Sequence, residues 1–363
     1  MRRNWIGSAC WAVAVVALTA PAAVAGEWID LFDGETLFGW QPLGDIEWQV
    51  ADGAIVGTRG TGGWLATTSA FKDFELTAKV RVRAGGSAGL VLRAGLDGHW
   101  TENGGAALLL SQPKGTESQW RQVQVTANGG SITATVDGDA AEVVGGGNPC
   151  GHIGIQCHLK AKVEVADVKL RPLNLEPIFN GENLDGWNIL PDHDSEFSVI
   201  DGAINIKNGN GQIETAATYK DFVLQLDIIS NGEHLNSGVF FRGPVGVFWK
   251  GYESQVRNQW LKAGRHKPVD FGTGGIYGDQ PARKVVPNDH EWFTKTIVCR
   301  GGHMAVWIDG YQVSDYLEVR PVADNASGKD GYVPGPGTIH LQGHDPTTDL
   351  SFKNIALQEY PAK

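Results

Sequence analysis

Alternation of polar with apolar residues runs through the chain in short segments. FELTAKVRV (74–82), QVQVTA (122–127), SITATVDG (131–138), FVLQLDI (222–228) and MAVWIDG (304–310) mix polar with apolar or β-branched residues near the two-residue period of a strand with one buried face. Asp-Gly, Asn-Gly and Gly-Gly pairs separate these segments, and the 49 glycines supply many tight turns. No long stretch has helical spacing. The pattern predicts an all-β chain of antiparallel sandwiches or jelly rolls.

The pattern also repeats. IDLFDGETLFGW (29–40) returns as EPIFNGENLDGW (176–187), ADGAIVG (51–57) as IDGAINI (200–206), and KDFELTAKV (72–80) as KDFVLQLDI (220–228). The offsets stay between 147 and 149 residues, so the chain carries one duplication. Its boundary falls at RPLNLEP (171–177). The expected layout is a leader over 1–25, a first β-domain over 26–172 and a second over 176–361.

The leader reading rests on Arg2 and Arg3, the apolar run WAVAVVALTA (11–20) and the small residues Ala23-Val24-Ala25 before Gly26. That run is too short for a membrane span, and no later segment is apolar enough for one. The expectation is an exported bacterial protein, periplasmic or extracellular. Losing the leader takes the formal charge of −11 two units further, to −13. An acidic chain with no basic stripe argues against a nucleic-acid partner. Three cysteines then remain, Cys150, Cys157 and Cys299. They fit no zinc spacing and allow at most one bridge, Cys150 with Cys157 as the open option.

Candidate chemistry gathers in the second copy. In NSGVFFR (236–242) alternation puts Ser237, Val239 and Phe241 on one face, and Asn236, Gly238, Phe240 and Arg242 on the other. In IHLQGHD (339–345) Ile339 and Leu341 turn inward while His340, Gln342 and His344 turn outward. GYESQV (251–256) sets Glu253 and Gln255 on one face. These strands are expected to line one cleft with a carboxylate, imidazoles, a guanidinium and amides. The plainer alternative is a solvated sheet face, in which Glu253 pairs with Arg242 or Arg257, His344 caps a turn, and Tyr277 packs under its loop.

Comparison of the copies sharpens the choice. Arg93 matches Arg242, and Gln156 and His158 match Gln342 and His344. Ala107, Leu109 and Ser87 stand where Glu253, Gln255 and Asn236 do. From Leu109 to Trp120 is 11 residues, but from Gln255 to Trp292 is 37. That longer loop is rich in Arg, Lys, His, Trp and Tyr, and long loops in compact domains tend to be functional. Copy two is expected to hold the active cleft, and copy one to be a degenerate partner.

These residues resemble the 3-keto-disaccharide hydrolase domain family, a concanavalin-like, lectin-like jelly roll. The matching elements are LFDG…GW and IFNGENLDGW, NSGVFFR, GYESQV, TGGIYG (273–278), HEWFTKTIV, VWIDGYQV and IHLQGHD…FKNIAL. The resemblance implies cleavage of 3-keto-glycosides and 3-keto-disaccharides. A ketone at C3 acidifies the C2 hydrogen, a base forms the enolate, the C1 substituent leaves by β-elimination, and water adds. It further implies Glu253 or His344 for proton transfer, and Arg242, Asn236 or a divalent metal at the enolate. Gln255, Tyr277, His340, Gln342 and Phe240 would contact the sugar. Glu253, His344 and Asp345 would hold such a metal. No nucleotide fingerprint is present, so a separate sugar 3-dehydrogenase is expected to supply the oxidised substrate. The competing functions are a glycan-binding pair, with Trp64 and Trp100 as platforms in copy one, and an adhesive extracellular domain.

Overall fold

Tight turns joining alternating strands give the architecture that the pattern predicts. The computed structural model describes residues 23–58, 60, 62–83, 87–112, 117–157 and 161–361. Most of the leader and His158 lie outside the described residues. Among those described, the chain forms four antiparallel sheets of eight, six, eight and five strands and a single-turn 3₁₀ helix at Gly328–Asp330. The strands of the first two sheets fall within 29–172 and those of the last two within 176–359, and no strand pairs across the halves. The fold is two tandem jelly-roll sandwiches. No helix among the described residues is long and apolar enough to cross a membrane.

Each sandwich closes over the inward set of its strands. In the second, Ile204, Ile206, Leu224, Leu226, Ile228, Val239, Phe241, Ile339 and Leu341 are fully buried between the sheets. The halves also touch. Phe71 packs on Trp307, Thr68 Oγ1 donates to Asp315 Oδ1 at 2.7 Å, and Arg283 pairs with Asp33 at 2.8 Å. Val24 pairs with Leu175 of the linker through reciprocal backbone bonds of 2.8 and 2.9 Å.

Cys150 and Cys157 are both buried and unbridged. They bracket the extended Gly151–Cys157 strand, which separates them by about 20 Å, far beyond the reach of a disulfide.

Candidate active site

The five-stranded sheet of the second half runs in the order Trp187–Ile189, Gly211–Thr215, Thr338–Gly343, Ser237–Gly243, Tyr252–Val256. Cross-strand register fixes which side chains share a row. Glu214 faces His340, His340 faces Phe240, and Phe240 faces Glu253. One pleat along, Gln212 faces Gln342, and Gly238 faces Gln255 with Gln342 on its other side. Asn236 follows on the same face. Every second residue on each strand belongs to this set, so the intervening Ile213, Leu341, Val239 and Ser254 serve the interior.

This polar face is not washed by solvent. Gln212, Glu214, Asn236, Glu253, Gln255, His340 and Gln342 are all buried. Two loops cover them. Backbone N–H groups of segment 244–250 reach down to the sheet, Gly246 donating to Glu214 at 3.0 Å and Trp249 to Gln212 Oε1 at 2.8 Å. The long loop after Val256 brings Asp270, whose Oδ2 accepts from Asn236 Nδ2 at 3.1 Å and from Gln255 Nε2 at 3.2 Å. Tyr277 is tied beside Glu253 by its N–H to the Glu253 carbonyl, at 2.9 Å. The rim carries half-exposed Trp249. Lys329 lies 5.2 Å from the Trp249 ring and 5.0 Å from that of Tyr277, which packs on Phe271 at 5.1 Å.

Glu253 leans across the cleft. A Cβ placed on Gly238 would lie 2.3 Å from Glu253 Oε1, so the carboxyl occupies the space that the missing side chain leaves between Gln342 and Gln255. Burial pushes its pKa up to about 8 and neighbouring Asp270 adds to the rise, while the Trp249 indole N–H, Lys295 and Lys329 pull the other way. Lys295 approaches from beneath. It crosses from the larger sheet and donates to the carbonyls of Ser254 and Gln255, both at 2.9 Å, and burial draws its pKa down to about 7 against the attraction of Glu253. Burial lowers His340 to about 4, which leaves a neutral imidazole at neutral pH. Burial with Asp270 and Glu253 nearby raises Tyr277, whose hydroxyl therefore stays protonated.

The structure brings together Glu253, Gln255, Asn236, Gln342, His340, Phe240 and Tyr277, and it removes three other candidates. Arg242 points away from the cleft. A β-bulge lies between Phe240 and Gly243, and Arg242 adopts the left-handed conformation (φ 57°), which breaks the strict alternation on which its placement rested. Its guanidinium turns inward to Asp221 at 2.9 Å and to the carbonyls of Lys220, Gly301 and Val333. His344 sits one residue past its strand, four residues beyond His340 and thus about 13 Å from the Glu253 row. Its side chain is exposed and pairs with Asp345 at 3.1 Å, and Thr348 Oγ1 caps the turn. Glu253, His344 and Asp345 therefore do not converge as metal ligands. Among the described residues no group of three or more His, Cys, Asp or Glu side chains could hold a metal ion.

Six contributors lie outside the candidates named from the sequence: Trp249, Asp270, Lys295, Lys329, Gln212 and Glu214. Asp270 lay within the long loop already singled out. Lys295 sits at an inward position of a core strand, where lysine is rare, and that rarity was its signal. Gln212 and Glu214 lie in GQIET (211–215), where two polar side chains flank the inward Ile213, the same period-two signal as in the neighbouring strands. A cavity of about 350 Å³ lies elsewhere, against the outer sheet near Gln225, Asp227, Thr294 and Asn354, and contains none of the candidate residues.

A family model described as the 3-keto-alpha-glucoside-1,2-lyase-like domain matches residues 27–171 and again 174–358. The chain belongs to that family. The two matches coincide with the two sandwiches, so the duplication is of a whole domain. Among solved structures, a putative glycosyl hydrolase from Parabacteroides distasonis is 20% identical over 52% of this chain and 94% of its own, with a TM-score of 0.40. A second such protein from that organism is 22% identical over 51% and 99%, with a TM-score of 0.42. The carbohydrate-binding module CBM66 from Bacillus subtilis is 16% identical over 50% and 99%, with a TM-score of 0.35. No curated protein matches the chain.

In the first member of the pair the same lattice of strands is plugged. Ala66, Gly154, Val91 and Ala107 occupy the positions of Glu214, His340, Phe240 and Glu253. Trp64, Gln156, Gly89 and Leu109 replace Gln212, Gln342, Gly238 and Gln255. Trp64 and Trp100 are buried in a cluster with Ala66, Val91 and Ala107. They fill the hollow and offer no platform to a glycan, which corrects the expectation that they would.

Proposed function

We propose that the second sandwich is a lyase for 3-keto-glycosides and the first a catalytically silent companion. The observation that carries this reading is Glu253, a carboxyl held over Gly238 inside a covered, amide-walled cleft, where β-elimination needs a single base. Its ionised form takes the C2 proton. The C–H electron pair becomes the C1–C2 double bond through an enolate at O3, and the C1–O bond breaks. The leaving oxygen gains a proton, for which the protonated Tyr277 hydroxyl at the rim is the donor. With Arg242 committed elsewhere and Lys295 bonded to the Ser254 and Gln255 carbonyls, the Lys329 ammonium beside the Tyr277 ring is the cation assigned to the developing charge. Water adding to the double bond gives net hydrolysis. A separate 3-dehydrogenase would make the substrate, and export through the leader would place the reaction outside the cytoplasm.

The test is incubation with a 3-keto-α-glucoside in D₂O, with and without chelator. Wild-type protein should release the aglycone and yield product labelled at C2. Glu253→Gln should lower turnover by about 10²–10⁴-fold with the fold intact. Full activity in that variant removes Glu253 from the mechanism, and no release under any condition removes the lyase.

A further inference from the structure

Three buried polar atoms on the cleft face have no partner: Gln212 Nε2, Gln342 Oε1 and Asn236 Oδ1. For Gln212 and Asn236 the orientation is fixed by what the other end of the amide does. Gln212 Oε1 accepts the Trp249 N–H, which leaves Nε2 as a free donor. Asn236 Nδ2 donates to Asp270, which leaves Oδ1 as a free acceptor. The plugged half supplies the third. There Gln156, at the position of Gln342, takes the Trp100 indole N–H on Oε1 at 2.7 Å. Trp100 lies in the loop equivalent to the one that carries Trp249, yet Trp249 stays at the rim and half exposed. The first half thus contains a surrogate ligand, and the group it satisfies in Gln156 is the one left open in Gln342.

We propose that Gln212, Gln342 and Asn236 form the subsite for the oxidised ring, reading one carbonyl oxygen flanked by two hydroxyls. One amide NH2 group and two acceptor oxygens complement that array, since a ketone only accepts whereas its 2- and 4-hydroxyls donate. The assignment of the carbonyl to C3 rests on the lyase reading above; the subsite itself does not. Buried polar groups left unpaired disfavour an empty or mismatched site, so this arrangement sets specificity as well as affinity.

The test is calorimetric titration of methyl 3-keto-α-D-glucopyranoside and of methyl α-D-glucopyranoside into full-length Glu253→Gln protein, with Gln342→Leu, Gln212→Leu or Asn236→Leu added in turn. The keto-sugar should bind at least about tenfold tighter than its parent. Gln342→Leu and Gln212→Leu should each weaken it at least about tenfold, and Gln156→Leu in the plugged half should leave binding unchanged. Scanning fluorimetry gives an independent readout. Gln342→Leu removes an orphaned polar atom, so its Tm should hold or rise. Unchanged affinity in the Gln342 and Gln212 variants, no binding of either sugar, or a collapse of Tm in Gln342→Leu overturns the subsite. Failure of the lyase reading looks different: wild-type protein would bind the keto-sugar with the same dependence on these amides and release no methanol.

Discussion

Where the second half sets Glu214, His340, Phe240 and Glu253 across four strands, the first sets Ala66, Gly154, Val91 and Ala107, on the same register. The scaffolds agree even in their irregularities. Arg93 and Arg242 both sit in the left-handed region (φ 51° and 57°), at a bulge in the equivalent strand. Each pairs at 2.9 Å with the aspartate of its KDF segment, Asp73 or Asp221. The arginine–aspartate pair that both halves keep serves the fold, whereas the carboxyl at position 253 has no counterpart in the first half, where Ala107 stands. By that contrast Arg242 is structural and Glu253 is the residue proposed for the chemistry.

The largest effect should come from breaking what is shared. Arg242→Met leaves buried Asp221 with the Gly301 N–H but without its cation and frees three backbone carbonyls, so urea denaturation should show a loss of about 3–5 kcal/mol. Arg93→Met should cost a similar amount. A folded Arg242→Met protein that lost only turnover would return Arg242 to the mechanism and dissolve the comparison.

Glycine at the equivalent positions 89 and 238 separates the two roles next. A Cβ at Gly89 would lie 2.1 Å from the Leu108 carbonyl oxygen, an immovable backbone atom. At Gly238 it would meet the mobile end of Glu253. Gly238→Ala should therefore cost little stability but displace the carboxyl, with turnover falling by about a hundredfold. Gly89→Ala should do the reverse, lowering Tm with turnover preserved in whatever remains folded.

His340 against Gly154 gives a pH-dependent contrast. With its pKa lowered by burial from 6.5 to about 4, the folded protein refuses a proton that the unfolded chain accepts between those values. Stability therefore falls as the pH drops through that window, by about 3 kcal/mol when it is complete. His340→Gln should flatten that acid limb in the second half's unfolding transition, and the His340 ring signals should not move between pH 5.5 and 8. A ring that titrates near 6.5 would mean the cleft is open to water.

Strict alternation was enough to find the sandwiches, the duplication and most of the cleft, because a sheet face follows directly from period two. It failed where the backbone departs from that period. The bulge at Arg242 turned a predicted cleft cation inward, and the strand ended before His344, so one more residue of alternation carried no meaning there. Side chains that reach the site from other elements have no local pattern at all. Lys295 arrives through the core from another sheet, and Asp270 and Lys329 arrive on loops whose path is set by tertiary packing. The mirror of this holds in the first half. The substitutions of Ala107 and Leu109 were legible as a loss of acid, but the indole plug was not, since burial of Trp64 needs the bare backbone of Gly154 diagonally across from it. A Cβ on that glycine would stand 2.3 Å from the Trp64 ring.

The two loop tryptophans give the finest contrast. The Trp249 indole N–H favours the ionised Glu253 carboxylate against the burial that raises it to about 8. Trp249→Phe keeps the ring and removes the donor, so the Glu253 pKa should climb further. For a base, activity appears as the proton leaves, and the ascending limb of kcat/KM against pH should move to higher pH, by up to about one unit, with the plateau nearly unchanged. Trp100→Phe in the plugged half should leave that profile where it was and instead orphan Gln156 Oε1, at a cost of about 1–3 kcal/mol in unfolding experiments. A limb that stays fixed in Trp249→Phe would show that the titrating group is not Glu253, and the division of labour between the halves would then have to rest on another residue.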